Sequence, residues 1–352
     1  MHQKLKLKKK DLINKKFILY GAGQLSEMAI DIWPKIIKKP CLILDKHKNG
    51  ILKKIKIENP ENWKGNKENT LLVLSALKIT PSEVKRLFKK HKQKIISVYD
   101  IFEIFKKKEF SNGWWGDFST IKENTYKKNL SYFKDKNSKQ IYQAVFKWRY
   151  KRILSNNYKI SNEEKKYQNF FLSKKKYKYN IIDAGQYDLQ FFNFLKKEKF
   201  IYQFIGIEPS DYRANIILKK IKKEKNVKFY NYGLGDKNEK KVFINDKQLC
   251  AKFTSLNKGK KKIIKNLRFY MDKFESNRKT ILKLHIEGDE FKVINSSKNI
   301  LKNNKFSLLI NLSHNEKSFL DIPKILNKLN YKKMKLYNTA LMGEGLYLFA
   351  EN

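Results

Sequence analysis

Apolar runs and helical-period stretches alternate along the chain in blocks of different character. In the first block, KFILYGAG (16–23) reads as a strand entering a glycine turn, and QLSEMAIDIWPKI behind it has apolar residues at helical spacing. CLILDKHKNG (41–50) is a second strand ending on Asp45, and NTLLVLSAL (69–77) is a third. PSEVKRLFKKH (81–91) reads as a helix, and KIISVYDIF (94–102) as a fourth strand or a strand–helix junction. Strands alternating with helices predict a parallel sheet of Rossmann type over residues 1–105.

Residues 106–177 are rich in Lys, Tyr and Asn, with helical patterns at 136–154 and 162–176. They read as a helical connector packed on the C-terminal block. From residue 178 to 352 the strand–helix alternation resumes. NIIDAG (180–185), FIGIEP (204–209), VKFYNYGLG (227–235), KTILKLHIEGDE (279–290) and FSLLINLSH (306–314) supply the strands. FFNFLKKE, ANIILKKIKKE, FKVINSSKNIL and IPKILNKLN supply helices, and YKKMKLYN and GLYLFAEN close the block as paired strands. The expected fold is therefore α/β: two Rossmann-like domains with parallel or mixed sheets joined by a helical connector. No internal repeat appears at a period of about 20–50 residues.

Composition changes this picture in few places. The chain has 352 residues and a formal net charge of +45, which invites a nucleic-acid partner. Of its 79 basic residues, however, only Arg86, Arg149, Arg152, Arg213, Arg268 and Arg278 are arginine. The rest are lysines spread along the whole length beside abundant Asn and Ile, the residues of A- and T-rich codons. A dedicated nucleic-acid surface would enlist arginine for bidentate contacts, so nucleic acid is disfavoured as substrate. Weak attraction to polyanions is expected all the same. Cys41 and Cys250 are far apart and form no CxxC pair, so both are expected to be small core residues. No metal-ligand spacing stands out, and no metal is expected. The charged N-terminus lacks a signal-peptide pattern, and no run reaches the ~20 apolar residues of a bilayer span, so the expected location is cytoplasmic.

Candidate chemistry gathers at strand ends, where open α/β sheets bind ligands. Asp183 and Gly185 end the first strand of the C-terminal block, before a helix N-terminus that favours a negative or polarised group. Glu208 ends the second and is placed to accept hydrogen bonds from a ribose diol. Gly233 and Asp236 end the third, where small residues and an acid can flank a flat ring. The stretch LKLHIEGDE places His285, Glu287, Gly288 and Glu290 on a turn between strand and helix, and His314 ends the next strand. A neutral imidazole accepts a proton near neutral pH, although His285 could equally cap the following helix. In the N-terminal block, Gly21 and Gly23 form a truncated glycine fingerprint, with Ser26 where a third small residue is usual, and Asp45 ends the second strand. That block reads either as a nucleotide site or as a docking module. The pair Trp114–Trp115 is either an anchor for the connector or a platform for a sugar face.

Several of these motifs together resemble the FkbM family of class I methyltransferases. IIDAGQYD is similar to that family's opening motif, IGIEPS to its second-strand acid, NYGLGDK to its third-strand turn, and LKLHIEGDEFKVI to its strand ending I-D-V-E-G-A-E. LLINLSHNEKSFLDIPKIL and GLYLFA resemble late segments of the same family, so the likeness spans roughly residues 179–350. It implies a fold that binds S-adenosyl-L-methionine and methylates a hydroxyl, commonly on a sugar or another small molecule. It further implies that Asp183 and Gly185 line the cofactor's amino-acid end, that Glu208 holds the ribose, and that Asp236 lies near the adenine. His285, Glu287 and His314 are then the candidates for receiving the acceptor's proton. Three positions depart from the family pattern. His285 stands where Asp is usual, Gln186 replaces a small residue, and Leu189 stands where a second glycine is usual. A leucine there is expected to crowd the cofactor, which leaves a cofactor-lost binding protein as the alternative.

Overall fold

The computed structural model describes residues 7–64, 69–76, 79, 83, 86, 94–105, 119–151, 153, 160–161, 167–168, 170, 177–186, 189–244, 252–254, 259–303, 305–340 and 345–352. The helices expected at 81–91 and 162–176 lie largely outside these residues, and Trp114, Trp115 and Cys250 lie wholly outside them.

The N-terminal sheet has six strands: β1 (Lys16–Tyr20), β2 (Leu42–Leu44), β3 (Gly50–Leu52), β4 (Ile55–Glu58), β5 (Thr70–Leu74) and β6 (Lys94–Ser97), in the order β3-β4-β2-β1-β5-β6. All neighbours are parallel except β3 and β4. Every residue of β5, and all of β1 after Lys16, is buried, which is why these strands read as unbroken apolar runs rather than alternating ones. The β3–β4 hairpin has no counterpart in the sequence reading. Its two turn residues, Lys53 (φ 49°) and Lys54 (φ 68°), both take left-handed backbone, so the turn lacks the usual Asn-Gly signature. Cys41 is exposed, not a core residue as expected, because it sits in the approach to β2 with its N–H bonded to the Phe17 carbonyl.

The connector contributes the helices Thr120–Leu130 and Lys136–Lys151. They pack on the C-terminal block through aromatic rings and buried polar bonds. Tyr142 stacks on Phe319 with centroids 4.4 Å apart and donates to the Phe319 carbonyl, while Asn129 donates to the Leu320 carbonyl. Each aromatic pair of this kind adds about 0.5–1.5 kcal/mol to the burial of its area.

The C-terminal block opens with β7 (Tyr179–Ala184), β8 (Ile201–Ile207) and β9 (Val227–Tyr230). A small four-stranded sheet comes next, made of β10 (Gly233–Gly235), β11 (Glu239–Ile244), β12 (Lys252–Thr254) and β13 (Lys260–Asn266). The main sheet then resumes with β14 (Thr280–Leu284), β15 (Phe306–Asn311), β16 (Lys333–Asn338) and β17 (Leu346–Glu351), in the order β16-β17-β15-β14-β7-β8-β9. β17 runs antiparallel to both its neighbours and the rest are parallel. The chain thus fills one side of β7 first and the other side afterwards, so the strand order reverses between β7 and β14. A crevice opens at the C-terminal ends of strands at such a switch point. The mixed α/β architecture matches the expectation. No helix among the described residues is long and apolar enough to cross a membrane.

Candidate functional site

At the switch point, Asp183 on β7 faces Lys283 on β14 as paired residues of the two strands. Both are buried, and Lys283 Nζ lies 2.5 Å from Asp183 Oδ1 and 3.4 Å from the Gly185 carbonyl. The chain leaves β7 through Gly185 at φ 76°, where an added Cβ would strike the His285 carbonyl oxygen. Only glycine lets the two strand ends pass so closely. Gln186, next in the chain, is fully buried against Gly206 of β8, and neither polar atom of its amide has a partner among the described residues.

Glu208, just past β8, is 3% exposed. Its Oε1 accepts the Ser210 N–H at 2.9 Å, and Ser210 in turn caps the helix Asp211–Ile221 by accepting from Arg213 N. Burial pushes the Glu208 carboxyl up to about 7, against the pull of the Ser210 N–H, Arg213 and Lys283. Gly233 and Gly235 belong to β10, where Tyr270 donates its hydroxyl to the Gly233 carbonyl, and Asp236 comes after them half-buried.

The turn after β14 is built around Glu290, a fully buried carboxylate. Its Oε1 accepts from Ile286 N at 2.9 Å and its Oε2 from Gly288 N at 3.0 Å. Between these two anchors Glu287 is held at φ 55°, left-handed backbone that a Glu rarely adopts, and Gly288 comes next at φ 115°. Asn315 closes the turn from the far side by donating to the Gly288 carbonyl at 2.6 Å.

His314, past the end of β15, brings Nδ1 to 2.6 Å from Glu290 Oε1 and Nε2 to 3.6 Å from Glu287 Oε1. His285 brings Nδ1 to 3.1 Å from the Tyr347 hydroxyl and Nε2 to 3.5 Å from the same Glu287 oxygen. The two rings lie 5.0 Å apart by centroid. His285 therefore does not cap the following helix, which begins at Glu290. Protein mass around the imidazole lowers its pKa, though Glu287 pulls the other way, while 32% of its side-chain surface stays open to solvent. Burial alone would raise the Glu287 carboxyl, yet His314 and His285 together hold it below its ordinary range, so it is ionised at neutral pH.

The family profile described as "Methyltransferase FkbM domain" matches residues 126–333. The chain belongs to the FkbM methyltransferase family. The crystal structure of methyltransferase FkbM from Methylobacillus flagellatus KT superposes with a TM-score of 0.61 over 96% of this chain and 90% of that one, at 10% identity. The citrinin polyketide synthase CMeT domain gives a TM-score of 0.29 at 8% identity over 76% of each chain. No curated protein matches the chain.

As an FkbM methyltransferase the chain keeps some expected features and alters others. His285, Glu287 and His314 come together in one cluster, although no local spacing marked them as a set, because the third comes from the neighbouring strand. Leu189, where the family pattern has glycine, takes φ −91° and ψ 13°, a backbone any L-residue adopts. Its side chain packs against the apolar cluster that includes Phe191 and Phe192. Two residues of the site, Lys283 and Tyr347, lie inside strands and read only as strand residues in the sequence. Glu290 is placed on the turn by the E-G-D-E run, and Gln186 reads only as a replacement for a small residue, without a role for either side chain.

The N-terminal glycine turn is satisfied from within the protein. Asp45 accepts from the backbone N–H of Ala22, His47 and Lys48. Ser26, buried where a third small residue was sought, donates to the Gly21 carbonyl and lies 2.6 Å from Ser75 Oγ. An added Cβ at Gly21, which sits at φ 109°, would meet Ala76 Cβ at 2.7 Å, and Gly23 precedes the helix Gln24–Asp31 as its N-cap.

Proposed function

We propose that this FkbM methyltransferase uses S-adenosyl-L-methionine to methylate a hydroxyl of a saccharide or glycan precursor. The observation that carries the reading is a pair of buried polar groups at the switch point, one of them without a partner among the described residues. Gln186 keeps a buried amide without a partner among the described residues, and Glu208 has a carboxylate with one oxygen committed to Ser210. A buried polar group left unpaired costs about 1–3 kcal/mol, and a polar ligand in the crevice would recover it. These residues fit the cofactor. Glu208 would accept from the ribose hydroxyls, the Asp183–Lys283 pair would offer both an acceptor and a donor to the amino-acid end, and Gly233 to Asp236 would flank the adenine.

When bound, the cofactor supplies an electrophilic methyl on a sulfonium. The chain's own task is to hold a hydroxyl oxygen in line with it and to take the hydroxyl proton. His285, Glu287 and His314 are the groups we assign to that task. The preference for a saccharide rests on the family resemblance, and the net charge of +45 favours an acidic one. The N-terminal turn, whose Asp45 already holds three backbone N–H groups, we assign a structural role in place of a nucleotide site.

The reading is tested by titrating the protein with S-adenosylhomocysteine and then assaying methyl transfer to acidic and neutral oligosaccharides. No binding of S-adenosylhomocysteine would favour the alternative, a non-catalytic binding protein that keeps the fold and has lost the cofactor, which Leu189 and His285 in place of the family residues suggest.

A further inference from the structure

The cluster of His285, Glu287 and His314 has the form of a ligand set. One donor atom from each of the three lies within 4.8 Å of the others. Nε2 of His285 is 3.5 Å and Nε2 of His314 3.6 Å from Glu287 Oε1. Ligands around a tetrahedral ion with bonds of about 2.0–2.2 Å sit roughly 3.3–3.6 Å apart, so these separations need little adjustment.

The outer contacts point the same way. Each imidazole is tethered through Nδ1, His314 by the Glu290 carboxylate and His285 by the Tyr347 hydroxyl. A carboxylate only accepts, so the bond to Glu290 places the His314 proton on Nδ1 and leaves Nε2 as a lone-pair donor. A histidine oriented from behind by a carboxylate is the usual support of a metal ligand. The strained backbone of Glu287 is a further sign, since a left-handed Glu persists only where its surroundings enforce it.

We propose that His285, Glu287 and His314 bind one divalent transition-metal ion at the mouth of the crevice. The inference rests on the methyltransferase reading of this site and adds how the acceptor is activated. Two imidazoles and one carboxylate form a nitrogen-rich set suited to Zn²⁺, Mn²⁺, Fe²⁺ or Co²⁺, whereas Mg²⁺ and Ca²⁺ prefer oxygen ligands throughout. Three protein ligands leave room for an acceptor hydroxyl, whose acidity the ion would raise. The hydroxyl then gives its proton to water, and its oxygen forms a bond to the methyl carbon. The carbon–sulfur bond breaks with its electron pair going to sulfur, so the sulfonium becomes a neutral thioether. With an ion in place the imidazoles act as ligands, and without one an imidazole receives the proton itself.

The test uses the full chain, stripped with EDTA and then equilibrated with Zn²⁺, Mn²⁺ or Co²⁺. Bound metal is counted by mass spectrometry after gel filtration, and Co²⁺ is also read from its visible absorption. The expected result is about one equivalent of metal, with affinity falling at least ~10-fold in Glu287→Gln and in His314→Ala, and ~10–100-fold in Glu290→Gln through loss of the outer bond. His47→Ala, in the N-terminal block, is expected to bind as the parent does. Glu287→Gln is close to isosteric and serves if His314→Ala fails to fold. Substoichiometric metal, undiminished affinity in Glu287→Gln, or loss of metal from His47→Ala would each overturn the proposal. Titration of the metal-free protein with S-adenosylhomocysteine separates the two readings. Cofactor binding without any metal site would leave the methyltransferase reading standing and remove this one.

Discussion

Glu290 Oε1 lies 2.6 Å from His314 Nδ1 and 2.9 Å from the Ile286 N–H, so one buried carboxylate oxygen joins the turn after β14 to the end of β15. Its second oxygen holds Gly288 N. Glu290 touches no reacting atom in this account and acts by positioning Glu287 and His314. Glu290→Gln would place an amide N–H against one of these donors. Loss of about 1–3 kcal/mol of stability is expected, measured by guanidinium unfolding, together with at least a tenfold fall in methyl transfer. Unchanged stability would mean that the three bonds are not what holds the turn.

Glu287 combines a left-handed backbone with a carboxylate aimed at two imidazoles. Replacing it with glycine removes both the strain and the chemistry. Glu287→Gly is expected to match or exceed the parent in stability, by about 1 kcal/mol, while methyl transfer is lost. A clear drop in melting temperature would show that the side chain, not the surrounding bonds, supports the turn.

The Glu208 carboxyl, raised to about 7, makes cofactor binding depend on pH. The groups facing it are Arg213, Lys283 and Asp183. A ribose diol donates to an ionised carboxylate, so affinity for S-adenosylhomocysteine should rise about tenfold between pH 6 and pH 8 and level off above. Because the folded value is raised, the contribution of Glu208 to stability is complete below the ordinary carboxylate range and is lost as pH rises to about 7, on the order of 3 kcal/mol. Calorimetry and thermal melts across this range, compared with Glu208→Gln, check both signs. The Gln variant should lose both pH dependences.

Leu189 offers a separate check on the crevice. Its ordinary backbone and its packing against the Phe191–Phe192 cluster give no reason for a glycine there. Leu189→Gly is expected to lower stability by about 1 kcal/mol and to leave cofactor affinity within about threefold of the parent. A large gain in affinity would mean that the leucine does crowd the cofactor.

Much of this was legible in the sequence for physical reasons. Strands buried on both faces, such as Phe17–Tyr20 and Thr70–Leu74, announce themselves as apolar runs, and in the C-terminal block Asp183 and Glu208 stand at strand ends, the side where open α/β sheets bind ligands. What stayed hidden depends on contacts between strands. Lys283 pairs with Asp183 through the register of β14 on β7, and Tyr347 reaches His285 from β17. The gathering of His314 with His285 and Glu287 comes from the order of β14 and β15 and leaves no trace in local spacing. The β3–β4 hairpin was missed because its turn is Lys-Lys, and the single helix expected at FKVINSSKNIL is two, Glu290–Ser296 and Lys298–Asn303. The helix expected from Ile322 begins earlier, at Glu316, because Asn315 caps it by accepting from Ser318 N.

Every role proposed for the site depends on S-adenosyl-L-methionine binding in the switch-point crevice. The most direct test of that binding is calorimetric titration of the purified chain with S-adenosylhomocysteine, repeated on Asp183→Ala and Glu208→Ala. Micromolar binding to the parent and no measurable binding to either variant are expected, with both variants still folded by circular dichroism. No heat and no thermal shift in the parent between pH 7 and pH 8 would contradict that expectation.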